Sequence, residues 1–533
     1  MSGVEAVPAT IDAKTLKQWL SDGGEIAFLD VREPGQFADG HAFFAVPLPY
    51  SRLELDLERL VPNRGVRMVL SDAGDGVAER ARRRAEALGY ANVKVLQGGA
   101  PAWKQAGYTL YEGVNLPSKT FGELIEHVRH TPRITAQELA AMRTRGDDFV
   151  LVDGRTWDEY RRFNIPGGIS CPNGELALRI GRIAPDPKTT IVVNCAGRTR
   201  SIIGAQTLID FGIPNRTVAL ENGTQGWFLA GFEVERGADR RWPEATRDAG
   251  EREGMQTRAR AHADRHGVAW VTAAEVAAWL RDGRRTTYLL DVRTAEEFAA
   301  TPTPGFLHAP GGQLVQATDQ WVGVKGARVV LMDDDRIRAP MAAAWLRQLG
   351  HEAAVLTGDV EPRTMLIEAR QPSRVDDLLP RLRDVSPRDA ADLLAAGKGE
   401  ILDLRASAAY RSGHIAGSRW TIRPHIATAL NGGPETVVLV ADEPLIARAA
   451  MLDLAEAGCR DIRLLAGGIA ARQAGGHPLQ ATPDLPPDSE RIDFIFHTLG
   501  RNDGNLDAAR AYLAWEINLV QQLDVQERGA FRI

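Results

Sequence analysis

Val150-Leu151-Val152-Asp153-Gly154-Arg155 is a short apolar run that stops on an acid and a base. A continuous run of this length reads as a strand covered on both faces, as in parallel sheets flanked by helices. The phrase recurs as Ile26-Ala27-Phe28-Leu29-Asp30-Val31-Arg32, as Leu289-Leu290-Asp291-Val292-Arg293, and as Ile401-Leu402-Asp403-Leu404-Arg405. Each time an aromatic follows shortly: Tyr160, Phe37, Phe298 and Tyr410. A second strand-like run comes later, at 190–194, 67–70, 328–332 and 436–440, then a loop and an Ala-rich helical pattern. Those helices stop at Phe211-Gly212, Leu88-Gly89, Leu349-Gly350 and Ala457-Gly458, where glycine caps the last turn.

Every repeat closes with a strand running into a turn: Leu220-Glu221-Asn222-Gly223, Leu96-Gln97-Gly98-Gly99, Leu356-Thr357-Gly358-Asp359 and Leu465-Ala466-Gly467-Gly468. Asp153 to Cys195 is 42 residues, Asp30 to Ser71 is 41, Asp291 to Asp333 is 42, and Asp403 to Ala441 is 38. One ancestral unit used four times explains that constancy. The expected fold is therefore α/β: four tandem domains, each a parallel sheet flanked by helices, plus a helical C-terminal tail. The expected ranges are 8–113, 131–237, 268–370 and 383–480, with the tail at 484–533. Between the first two domains, a short helical pattern (Phe121, Leu124, Ile125, Val128) should pack between them. Residues 236–266, rich in Arg, Asp, Glu and Ala, read as a solvated connector, helical or extended. In the tail, Ala511, Leu513, Trp515, Ile517, Leu519, Val520 and Leu523 read as a packed or docking face. With Tyr512 and Trp515 on it, that surface makes a homodimer one expectation.

The totals set limits. A chain of 533 residues is too long for one core. A net charge of −6 gives no general attraction to nucleic acid or to an anionic membrane. No apolar run approaches the roughly 20 residues of a membrane span, and residues 1–10 lack the pattern of a signal peptide. Three cysteines, Cys171, Cys195 and Cys459, are too few and scattered for a disulfide framework or a zinc site. A cytoplasmic protein without metal or cofactor is expected.

The chemistry concentrates in Val192-Val193-Asn194-Cys195-Ala196-Gly197-Arg198-Thr199-Arg200-Ser201. A strand ends on a cysteine, a loop with two arginines follows, and a helix begins. Backbone N–H groups and the helix dipole favour negative charge there, and such surroundings are expected to lower the thiol pKa. The equivalent residues elsewhere are Ser71, Asp333 and Ala441. The acidic loop around Ser71 lacks an evident base, Asp333-Asp334-Asp335 reads as a solvated turn rather than a metal site, and Ala441 cannot react. Asp153 and Arg155 read as a fold-supporting pair. Cys171 and Cys459 read as packing cysteines, although Cys171 is also a candidate second thiol. Arg179 is a candidate ligand residue near the mouth.

These motifs together resemble the rhodanese family of sulfurtransferases: Asp153-x-Arg155, the loop opening at Cys195, and Leu220-Glu221-Asn222-Gly223-Thr224-Gln225-Gly226-Trp227. Gly40-His41 in the first repeat and Gly413-His414-Ile415-Ala416-Gly417 in the fourth fit the same pattern, whereas the second repeat has Asn164 in place of His. The resemblance implies a Cys195 thiolate that takes the outer sulfur of a donor and passes it on from a persulfide. Ala196, Gly197, Arg198, Thr199, Arg200 and Ser201 would cradle the sulfur or the donor's oxyanion, with Arg198 and Arg200 orienting a small anionic donor such as thiosulfate. Acceptors would be a thiol, cyanide or a protein. The related phosphatases and arsenate reductases use a longer Cys-x5-Arg loop, and Arg200 falls one residue short of that. A non-enzymatic persulfide carrier or scaffold is the expectation from a different class, motivated by the three domains that lack the thiol.

Overall fold

The computed structural model describes residues 9–246, 248–358, 371–430 and 435–533. Residues 1–8, the turn at Asp359 and the end of the third expected range (359–370) lie outside them. Four five-stranded sheets are present, and all four share one strand order. Across each sheet the order is first, fifth, fourth, second and third in chain order, with neighbouring strands parallel. The expected α/β architecture is thus observed, and a helix, Leu506–Gln522, stands in the C-terminal segment.

In the second domain, strands Phe149–Asp153 and Thr190–Asn194 lie side by side in the centre, with Asp153 opposite Asn194. Ile191, Val192 and Val193 are fully buried. Successive side chains point to opposite faces, so Val192 joins the core with Ile134, Leu139 and Trp227, while Ile191 and Val193 join Leu176, Ile180 and Leu208. Burial on both faces is why these strands read as continuous apolar runs rather than alternating ones. Parallel strands also deliver Asp153, Asn194 and the loop that follows to one edge, where ligand sites of this architecture form.

The four Asp-x-Arg phrases adopt one geometry. Each Arg donates its backbone N–H and its Nε–H to the Asp, and its terminal nitrogen to a carbonyl eight residues beyond the arginine's own position: Gly40, Phe163, Thr301 or Gly413. The structure places Asp153 and Arg155 as such a buried ion pair at 2.6 Å. His41 and His414 each stack on the aromatic four residues earlier and bond its carbonyl through Nδ1. Asn164 does the same job in the second domain, donating Nδ2–H to the carbonyl of Tyr160 at 3.2 Å.

The chain forms two compact units. One contains residues 26–114 and 372–497, hence the first and fourth domains; the other contains 115–371 and 498–533, hence the second and third domains with the final helix. In the first unit, Arg423 is buried against Glu54 and Asp453, and Tyr50 donates to Asp453 at 2.6 Å.

In the second unit, three expectations change. The helix Leu116–Arg129 packs on the helix Thr199–Phe211 and on the final helix, with Phe121, Leu124 and Ile125 buried but Val128 half exposed. Residues 236–266 are not simply solvated: helix Ala249–Arg265 buries Met255 and Ala259 against Phe211, Ile337 and Met341, and Ala263 is buried too. Small residues on one face of a charged helix are enough to seat it. The final helix buries Ala509, Tyr512, Leu513, Glu516 and Leu519, whereas Ala511 and Ile517 face outward. Its Tyr512 face is therefore covered by this chain itself. Between Pro483 and Leu506 the tail has only a single turn of 3-10 helix, Asp488–Glu490.

Candidate active site

Cys195 follows directly on its strand and is 2% exposed. Its carbonyl accepts from the N–H and Oγ1–H of Thr224, at 2.8 and 3.0 Å, and the carbonyl of Ala196 accepts from the N–H of Gln225 at 2.9 Å. Gly223 makes this clasp feasible. Its φ is +54°, and a Cβ there would stand 2.4 Å from the Cys195 carbonyl oxygen. Asn194 bridges the same floor, donating to Asp153 and to Thr224. The loop backbone is thereby fixed from below, as a preorganised site requires.

Above the floor, helix Thr199–Phe211 follows Arg198, its N-cap residue. Ser201, in its first turn, donates its Oγ–H to Cys195 Sγ at 3.1 Å. The thiol pKa nonetheless lies above its ordinary value. Burial is the dominant cause; Arg200 and Ser201 pull it down, and Glu516 adds to the rise. This corrects the expectation of a lowered thiol pKa: a helix terminus and a cation do help the thiolate, but desolvation outweighs them here.

Neither loop arginine stands free. Arg198 is buried against Glu123 at 2.7 Å and against Glu126, and also donates to Asn222. Arg200 pairs with both oxygens of Glu159 at 2.7 Å and reaches Gln313 at 3.4 Å. That pairing holds Glu159 down at about 2 despite its burial. Arg200 also feels the Cys195 thiolate directly, whereas Arg198 is turned toward Glu123 and Glu126 on the Leu116–Arg129 helix. Arg179 is buried between Glu175, at 3.0 Å, and Glu297, at 3.4 Å. The expectation that it faces the mouth is corrected, since an i,i+4 acid on its own helix claims it first.

Thr199 is the junction with the final helix. Its Oγ1–H donates to the carboxylate of Glu516. Glu516 also pairs with Lys119 at 3.5 Å, and Lys119 donates to the Tyr512 hydroxyl. Gly197 is closely overlaid: a Cβ there would meet Tyr512 Cε1 at 2.9 Å and Glu516 Oε2 at 3.1 Å. The sequence reading missed Lys119 and Glu516, whose only signal was two charged residues at core-facing positions of amphipathic helices.

Two depressions adjoin the loop. A cleft of about 770 Å³ is lined by Glu123, Glu126, His127, Arg198, Ile517 and Arg528. Another, on the Arg200 side, is lined by Asn173, Thr199, Arg200, Arg338, Met341 and Trp345. Cys195 lines neither.

The equivalent loops in the other domains carry no thiol. After Ser71, the carboxylate of Asp72 accepts from the N–H groups of Gly74 and Ala78, both at 2.9 Å. Asp333 accepts from the N–H groups of Ile337 and Arg338, at 3.1 and 3.0 Å. Asp334 is taken by Arg293, and Asp335 by Arg338. After Ala441, Pro444 opens the helix and removes an N–H from its first turn. Cys171 is wholly buried in a core cluster, which pushes its thiol pKa up strongly; Cys459 is partly buried and packs against another.

The chain is similar over 98% of its length to the crystal structure of a thiosulfate sulfurtransferase from Pseudomonas aeruginosa, 99% of which it covers, with 42% identity and a TM-score of 0.90. It is 34% identical over 105 residues to the HTH-type transcriptional regulator Rv0324 of Mycobacterium tuberculosis, covering 20% of this chain and 45% of that protein. Over 108 residues it is 34% identical to the uncharacterized protein slr1261 of Synechocystis, covering 20% and 59%. The chain thus spans about half the length of these two curated relatives. Residues 12–106, 135–230, 272–362 and 386–474 each match the model of the rhodanese-like domain. With four such segments, and a thiol above the sheet edge in the second, the chain belongs to the rhodanese-like family as a tandem of four domains.

Proposed function

We propose that the protein is a sulfurtransferase that moves sulfane sulfur from thiosulfate, or a similar donor, to a thiophilic acceptor through a persulfide on Cys195. The observation that carries this reading is the Ser201 hydroxyl donating to Cys195 Sγ at 3.1 Å, with the charge of Arg200 acting on the same sulfur. Such donors stabilise a sulfur anion, and a persulfide formed there needs the same stabilisation. The similarity to a thiosulfate sulfurtransferase over the full length of both chains supports the same class.

The thiolate attacks the outer sulfur of thiosulfate, the S–S bond breaks, and sulfite leaves with the bonding electrons. An acceptor such as cyanide then attacks the outer sulfur of the persulfide, so that thiocyanate forms and the Cys195 thiolate returns. Splitting the transfer this way replaces one encounter of two anions with two separate displacements. The first, third and fourth domains serve as framework, since Asp72 and Asp333 fill their own loops and Ala441 has no nucleophile. No described helix is long and apolar enough to cross a membrane. We assign the protein to a reducing, cytoplasmic setting because its three cysteines are unpaired.

Incubation with thiosulfate should add one sulfur atom to the peptide holding Cys195, seen by mass spectrometry, and cyanide should remove it as thiocyanate. Cys195→Ser should abolish both signals. Undiminished thiocyanate formation in that variant would overturn the assignment.

A further inference from the structure

The helix N-terminus after Cys195 already holds an anion. Among the four loops, two are filled by a carboxylate from their own loop: Asp72 on Gly74 and Ala78, and Asp333 on Ile337 and Arg338. The second domain has no acid in its loop. Its seat is taken instead by Glu516, from the helix Leu506–Gln522, on the hydroxyl of Thr199 in the first turn. Glu516 is 1% exposed, its second oxygen Oε2 has no hydrogen-bond partner among the described residues, and that oxygen faces Gly197. A buried carboxylate with an unsatisfied oxygen is costly unless the surroundings compensate. Here Lys119 and Thr199 compensate, and they hold Glu516 below the usual carboxylate range.

The charge in contact with the loop does not favour an anionic visitor. Arg198, Arg200 and Lys119 are matched by Glu123, Glu126, Glu159 and Glu516, and each cation already has a carboxylate partner. We propose that Glu516 is a specificity-determining residue of the Cys195 site: it occupies the seat that a donor's oxyanion would take, and so selects donors with no negative charge beside the transferred sulfur. The proposal rests on the reading that Cys195 takes up sulfur, and it ranks neutral organic persulfides above thiosulfate, which remains a donor of higher KM. With such a donor, the thiolate attacks the outer sulfur of R–S–SH, the S–S bond breaks, R–S⁻ departs, and the proton stays on the sulfur now bound to Cys195. Thiosulfate reaches the thiol only by displacing Glu516.

Alkylation of Cys195 separates charge selection from sulfur transfer. Iodoacetamide is neutral and iodoacetate is an anion of similar size; both form an S–C bond with the thiolate and release iodide. In the full-length protein, the iodoacetamide-to-iodoacetate rate ratio at the Cys195 peptide is expected to exceed that of a small uncharged thiol by at least ten-fold. A freely cationic loop would lower it instead. In Glu516→Gln the ratio should fall at least ten-fold, and the KM for thiosulfate should fall by a similar factor. Any general change in thiol reactivity cancels in the ratio. The wild-type comparison stands even where the variant folds poorly, and both ratios can be read in a protein that forms no thiocyanate. A wild-type ratio at or below that of the small thiol, ratios unchanged by the substitution, or no reaction of Cys195 in either protein would overturn the proposal.

Discussion

At the residue scale, the site is a contest between burial and hydrogen bonding around one sulfur. Cys195 sits above its ordinary pKa because it is buried and has Glu516 nearby, in spite of Arg200 and Ser201. Only the thiolate attacks, so a raised pKa means that the reactive fraction at neutral pH is small and grows with pH. The rate of persulfide formation at limiting donor should therefore climb about tenfold per pH unit until the thiol is ionised. Stopped-flow measurements between neutral and alkaline pH would check this; a flat profile through that range would contradict it. Cys195, its arginines and Ser201 were legible in the sequence because they are adjacent along the chain. What those arginines touch was not legible. Arg198 meets Glu123 across 75 positions and Thr199 meets Glu516 across 317, and spacing along a chain carries no record of such encounters.

Among the elements, the strands were the easiest to read and the amphipathic helices the hardest. Strands such as 149–153 and 190–194 are buried on both faces, so any register leaves the apolar run visible. The final helix has apolar residues around much of its circumference, and the charge on Glu516 marked as solvent-facing a position that is in fact buried. Its seating depends on the helix Leu116–Arg129, whose Phe121 is fully buried, with ring centroids 5.8 Å from Trp345 and 5.9 Å from Phe531. Phe121→Ala should cost about 3–5 kcal/mol, measured as a shift in denaturant midpoint. It should also loosen the cover over Cys195, since Phe121 and Lys119 lie on that same helix. A cost below about 1 kcal/mol would show that the three rings are not a joint core.

For the whole molecule, the repeats announced four domains but not their grouping. The domains group as first with fourth and second with third, each unit with its own buried charged contacts. Nothing in a repeat's own sequence says which sister it meets, because partner choice is made by a few residues such as Arg423 with Glu54, or Arg338 with Glu175. Two units of this size should not unfold as one cooperative system. Scanning calorimetry should give a measured unfolding enthalpy larger than the van't Hoff value; equality of the two would mean a single transition.

The distance in sequence between Cys195 and Glu516 also has a meaning in time. A ribosome adds about 5–20 residues per second, and domains close in the order in which they emerge. The second domain is thus finished while more than half of the final helix's predecessors are still to be made, so its thiol spends on the order of tens of seconds without the carboxylate that later covers it. For each newly made copy, the nascent chain is the one stage at which the Cys195 loop stands without Glu516.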